Sequence, residues 1–193
     1  YEKLVPLESV KATDIEKMNK IKHLYQSYLK SVEQAVLSSY NPADEAWALQ
    51  QLEAYNSDTG KNTEALLVAA QQEEYNDALK SNNLQESLQD DLPGVRAYLQ
   101  LVDKFGDMQA ALIRYVGGDV GQQQVFELEL AELTTVLAEL RPLERKPVEV
   151  SRFEQIDAAV TEIRTLAEQI FQRYDAKARQ SAVAAIKQGE QQF

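Results

Sequence analysis

Between Leu7 and Ser39 the apolar side chains Ile15, Met18, Ile21, Tyr25, Leu29, Val32 and Val36 recur every three or four residues. They follow Thr13 and Glu16, which stand at the spacing of a capping box, and predict a long first helix. NPADEAW stops that helix and starts the next, with Asn41 as cap, Pro42 at the first helical position, and Asp44 and Glu45 in a first turn whose dipole favours acids. The second helix, Pro42 to Tyr55, carries Trp47, Leu49 and Leu52. NSDTG (56–60) is then either a kink or a reversal. A third helix over 59–81 shows Leu66, Ala69, Ala70, Tyr75, Ala78 and Leu79 on its apolar side.

The polar stretch SNNLQESLQDDLPG ends at Pro93, which predicts a helix start with Asp90 and Asp91 at its positive pole. From 93 to 116, Val95, Val102 and Val116 fall at heptad multiples, interleaved with Tyr98, Phe105 and Leu112, and Gln109 is the one polar member of the seam. YVGGDVGQQQ (115–124) has neither the spacing nor the Lys of a nucleotide loop, and helix, not strand, precedes it. It predicts a helix boundary, with Gly117 or Gly118 in the left-handed conformation and Asp119 opening the next helix. Phe126, Leu130, Leu133, Leu137 and Leu140 line that fifth helix, which Pro142 ends. Ser151 and Glu154 form a second capping box before a final helix, 151–190, seamed by Phe153, Ile156, Val160, Ile163, Ala167, Ile170, Tyr174 and Lys177.

At 193 residues and 44% hydrophobic, the chain suits one ordinary domain or two small stacked modules, and its 7 Gly and 5 Pro are few, as long helices require. The expected fold class is all-α: an elongated antiparallel helical bundle, of five helices if NSDTG is a kink and six if it is a reversal. A formal charge of −11 repels phosphate backbones and anionic lipid, which argues against nucleic acid or a membrane surface as partner. The absence of Cys removes disulfides, thiolate metal sites and Cys nucleophiles. The single histidine, His23, falls off the first seam and has no second His for a carboxylate-bridged metal pair. With nearly every nucleophile and base arrangement missing, the chain reads as non-enzymatic, with no cofactor and no metal.

Every arginine lies at or beyond Arg96. Arg164 and Arg173 flank the last seam beside Ile163 and Tyr174, where a guanidinium reaches between helices and can hold a carboxylate in bidentate fashion. The competing reading pairs them with the chain's own acids. Trp47 and Tyr98 line a cavity in the first reading and belong to the core in the second. The candidate ligand-binding set is Arg164, Arg173, Tyr174, Tyr98 and Trp47.

The long opening helix 7–39, the two shorter helical pairs, the closing helix 151–190 ending in AKARQSAVAAIKQGEQQF, and ends without an apolar span together resemble the helical extracytoplasmic sensor domains of bacterial chemoreceptors and sensor histidine kinases. Those domains are four-helix bundles or two stacked modules sharing long helices. The likeness covers the whole chain and is architectural, with no shared motif. It implies one domain over 1–193, with submodules at roughly 40–140 (distal) and at 1–39 with 141–193 (membrane-proximal). It also implies a small ligand bound between helices, an organic acid among the candidates, and a homodimer in the full-length receptor. The implied location is periplasmic, on an inner-membrane protein. Because the chain opens on Tyr1 and not Met, membrane spans are expected to flank it. An even helix count returns both ends to one side, as two such spans require; an odd count does not. The alternative is a secreted or lipid-anchored helical bundle that binds a protein partner.

Overall fold

The structure, a computed structural model, describes residues 12–37 and 39–191. Among these the protein is all-α, a helical bundle with no strand and six continuous helices. Helix α1 is Ala12–Val32, extended by the π-helical turn Glu33–Leu37. Helix α2 runs from Pro42–Tyr55 through the π-helical turn Asn56–Gly60 into Lys61–Lys80. Helix α3 joins Leu84–Glu86, the π-helical turn Ser87–Asp91 and Leu92–Val116. Helices α4, α5 and α6 are Gln122–Leu140, Pro147–Arg173 and Ala176–Glu190. The expected first-helix residues 7–11 lie outside the described residues. No described helix is long and apolar enough to cross a membrane.

NSDTG is not a reversal. Tyr55 and Gly60 keep right-handed helical backbones, and the ladder passes through a single wide turn. Gln109, the polar member of the α3 seam, donates to Asn56 Oδ1 at 3.3 Å, and a Cβ on Gly60 would stand 2.6 Å from its amide nitrogen. Glycine is what lets the α3 side chain lie against this turn. Asp90 and Asp91 likewise sit inside a helix and do not precede one, since α3 begins two turns before Pro93.

The expected closing helix 151–190 starts earlier and breaks in the middle. Its true N-terminus is Pro147, where the Glu149 carboxylate accepts the backbone N–H groups of Lys146 (2.9 Å) and Arg145 (3.1 Å); Ser151 lies exposed within the helix. At Tyr174 the backbone turns extended (ψ 126°), and Asp175 Oδ1 accepts the N–H groups of Lys177 and Ala178, capping α6. The break is held by a reciprocal tyrosine clamp. Tyr115 donates its hydroxyl to the Tyr174 carbonyl at 3.1 Å, Tyr174 donates to the Val116 carbonyl at 2.7 Å, and the two rings meet edge to face at 5.9 Å. The sixth helix thus comes from this break and not from NSDTG, so the parity argument for both ends on one side loses its premise.

The chain divides into two compact units, residues 43–174 and residues 12–42 with 175–191. The boundaries therefore fall at 42 and 174, and the stretch 141–174 joins the same unit as 43–140. In the larger unit α3 packs against both α2 and α4, and α5 joins α2 and α4. Its core is Tyr98, Leu101, Phe105, Met108 and Leu112 of α3, met by Phe126, Leu133 and Leu140 of α4, Ile156, Ile163 and Ile170 of α5, and Leu67 of α2. The seam expected over 93–116 is observed in part: Tyr98, Phe105, Leu112 and Val116 are buried, but Val95, Val102 and Gln109 are only half-buried, and Leu101, Met108 and Ala111 complete the buried face. Gly118 takes the left-handed conformation (φ 99°) and the Asp119 carboxylate accepts the Gly121 N–H, as expected of a helix boundary. In the smaller unit α1 packs with α6 but buries none of its residues fully. The expected α1 seam is largely solvated: Ile15, Ile21, Tyr25 and Leu29 are all exposed.

Candidate functional site

The lower half of α2 does not bury the residues its sequence suggests. Tyr75 and Leu79 are exposed, and the buried stripe is Thr63, Leu67, Ala70 and Glu74, at steps of four, three and four. That register carries a glutamate into the core. On α5 the same logic applies to Arg152, which stands four residues before Ile156 on the buried stripe and is 9% exposed. Around these two gather Glu73 and Asp77 of α2, Asp90 and Asp91 of α3, Tyr98 of α3, Glu144 and Lys146 of the α4–α5 connection, and Glu149 of α5. All belong to the larger unit.

Arg152 Nη1 donates to Glu73 Oε2, and the guanidinium lies over the Tyr98 ring, 5.5 Å from its centroid. The Tyr98 hydroxyl donates to Glu144 Oε1 at 2.9 Å. Arg152 Nη2 stands 3.9 Å from both Glu74 Oε1 and Glu144 Oε2, close enough to attract each but too far to hydrogen bond. Lys146 Nζ bridges Asp77 Oδ2 (2.9 Å) and Glu149 Oε1 (2.8 Å). Among the described residues, Arg152 Nε and Nη2, Glu144 Oε2, Asp90 Oδ1 and Asp91 Oδ2 are buried without a hydrogen-bond partner. Native interiors rarely leave such groups without a protein or water partner.

The charges respond to that environment. Burial, then the neighbouring carboxylates Glu144 and Glu149, push Glu74 up to about 7 despite Lys146 and Arg152. Burial also raises Glu144, against the Tyr98 hydrogen bond and the Arg152 charge. On Glu149 burial is outweighed by hydrogen bonds from the Lys146 side chain and from the Lys146 and Arg145 backbone, which hold it below the ordinary value. Burial weakens the charge on Arg152, but Glu73 and Tyr98 together more than compensate. Glu74 rests on Gly94 of α3, where a Cβ would stand 2.9 Å from its carboxylate oxygen. Glycine at 94 makes room for a buried carboxylate. Beside the cluster a pocket of about 500 Å³ is lined by Asp77, Lys80, Ser81, Asn82, Asn83, Asp91 and Lys146. No group of three histidine or carboxylate side chains among the described residues converges closely enough to hold a metal ion.

The five residues singled out from sequence do not form one site. Tyr98 belongs to the cluster. Trp47 and Arg173 pair with each other: the guanidinium lies 4.4 Å from the indole centroid while its Nε donates to Asp44 Oδ1 at 2.7 Å. Tyr174 is buried in the tyrosine clamp, and half-exposed Arg164 donates to Thr134 Oγ1 of α4 at 3.4 Å. Arg152, Glu74 and Glu144, the centre of the cluster, were missed; for Arg152 the available signal was a charge in register with the apolar stripe of its own helix, four residues before Ile156. The arrangement balances carboxylates against Arg152 and Lys146 around Glu74, whose hold on a proton burial strengthens. No family model matches the chain, and no curated protein and no solved structure matches it.

Proposed function

We propose that the chain is the non-enzymatic extracytoplasmic sensor domain of a bacterial transmembrane signalling receptor, binding a small ligand between its helices. One observation carries the reading: the four-helix unit buries a charged cluster with unmatched hydrogen-bonding groups where the ends of α2 and the starts of α3 and α5 meet, beside a pocket of ligand size. A bundle built only for stability gains nothing from buried, incompletely paired charge. Ligand contacts there bias alternative packings of the helices, and the receptor acts as a homodimer. A thermal-shift screen of organic acids, amino acids and amines tests the reading: at least one class raises the melting temperature saturably, and no rise with any of them refutes it.

A second reading has its own observation. The exposed Ile15, Ile21, Tyr25 and Leu29 on α1 fit a secreted or lipid-anchored bundle that docks a protein partner through this helix. The full-length gene separates the two: a membrane span on each side supports the receptor, and a leader peptide without a second span supports the secreted protein.

A further inference from the structure

Away from the charged cluster, α2 and α3 share an outer side that is apolar. On α2 the exposed Val68 and Tyr75 stand seven residues apart, and Leu79 follows one turn later. On α3 the exposed Leu92 and Leu99 repeat that spacing, with Leu88 one turn before them, and Val95 and Val102 lie half-buried between. Two contacts set these helices side by side and antiparallel: Gly94 against Glu74, and Gln109 against Asn56. They bring Val68 to the height of Leu99 and Tyr75 to that of Leu92, so two exposed heptad seams lie next to each other. The six exposed side chains present on the order of 600 Å² of apolar area, which with a polar rim approaches the roughly 800 Å² per partner of a stable interface.

This side has relief and matched charge. Leu88, Leu92 and Leu99 make a ridge on α3, and α2 carries a shallow hollow of about 590 Å³ lined by Lys61, Glu64, Ala65, Val68, Ala69 and Gln72. The small side chains of Ala65 and Ala69 leave room there for a larger one. Lys61 and Glu64 edge the hollow, Arg96 and Asp103 stand four residues after Leu92 and Leu99, and none of the four charges enters an ion pair among the described residues. On a chain of net charge −11, a side with two cations and two carboxylates is where a second copy meets least repulsion. Resting on the homodimer of the sensor reading, we propose that this α2–α3 face is the interface with a second copy of the chain, the leucine ridge of each copy seated in the hollow of the other. Such an interface is isologous, and its two-fold axis runs along the helices. Both copies then point the same way, as anchoring in one membrane requires.

Sedimentation equilibrium of the full chain between about 5 and 500 µM reads the association. The parent moves from the mass of one chain to that of two. Leu99→Glu weakens dimerisation about a hundredfold or more, since both copies lose a buried leucine and gain a charge. Ala69→Trp fills the hollow, acts in the same direction, and serves alone should the first variant lose its helical circular dichroism. Leu128→Glu, at an exposed position of α4 outside the face, leaves the association unchanged. Because the chain has no cysteine, oxidising an equimolar mixture of Leu99→Cys and Ala69→Cys chains traps the mixed disulfide ahead of either like pair. A dimer that survives both face variants, or one lost instead in Ile21→Glu on α1, overturns the assignment while the homodimer of the sensor reading stands. Single chains at every concentration overturn both, and the ligand screen still tests the binding half of that reading.

Discussion

Glu74→Gln keeps the shape of the buried side chain and removes its charge and its proton. In the folded unit the carboxyl titrates near 7, against about 4.5 when the chain is unfolded, so the native state holds the proton more tightly. A raised native value means stability that is fully present below the unfolded value and lost as pH climbs through the native one. At about 1.4 kcal/mol per unit, the shift corresponds to about 3 kcal/mol, lost between about pH 4.5 and about pH 8. Glu144 shifts in the same direction and adds to the loss, whereas Glu149 is lowered, and its opposite contribution is complete once the pH has passed the ordinary carboxylate value. The glutamine variant lacks this titration. It is therefore more stable than the parent at about pH 8, by about 1–2 kcal/mol once the lost attraction to Arg152 is deducted, and no more stable than the parent at about pH 5. Urea unfolding followed by Trp47 fluorescence measures this, because the only tryptophan lies in the four-helix unit. Parallel stability curves for parent and variant across that pH range, or a variant weaker at the alkaline end, would refute the assignment of a buried, proton-holding carboxylate.

Arg152→Met removes the guanidinium that faces Glu73, Glu74 and Glu144, and costs about 3–5 kcal/mol near neutral pH in the same unfolding assay, with part recovered when Glu74→Gln is added. Tyr174→Phe deletes the hydroxyl donated to the Val116 carbonyl while keeping the ring against Tyr115, and costs about 1 kcal/mol, read as a lower urea midpoint at unchanged slope. Gly118→Ala places a side chain at φ 99° and costs about 1 kcal/mol in thermal unfolding, whereas Gly106→Ala, where an added Cβ touches nothing within 4 Å, gains stability through helix propensity.

Much of the fold was legible because the punctuation was local. Pro42, the glycines at 117 and 118, and Pro142 end or start helices through their own backbone chemistry, and in 95–116 the interleaved Tyr98, Phe105 and Leu112 name the buried face while the valines at 95 and 102 do not. The break at Tyr174 was not legible, since YDAKAR holds no proline or glycine and the apolar period continues across it. Its cause is distant in sequence: Tyr115 supplies the donor that satisfies the freed carbonyl. The π-helical turn at 56–60 was hidden for a related reason, because NSDTG reads as a stop unless the partner side chain, Gln109, is known. The site was harder still. Arg164 and Arg173 drew attention as boundary cations, while Glu74 and Arg152 drew none, a charge on a helix being normally solvated. Only the observed register of α2 turns Glu74 inward and Tyr75 out.

The buried cluster also bears on the order in which the four-helix unit assembles. Helices α3 and α4 meet across the short connection 117–121 and bring together apolar side chains close in the chain. The charged cluster closes only when Arg152 reaches Glu73, 79 positions away, and Tyr98 reaches Glu144, 46 positions away. Loop-closure entropy delays such contacts until the local apolar hairpin exists. The charges therefore remain hydrated through most of folding and lose water in the last step. Changes at Arg152 or Glu74 accordingly act on how fast the finished unit opens more than on how fast it forms.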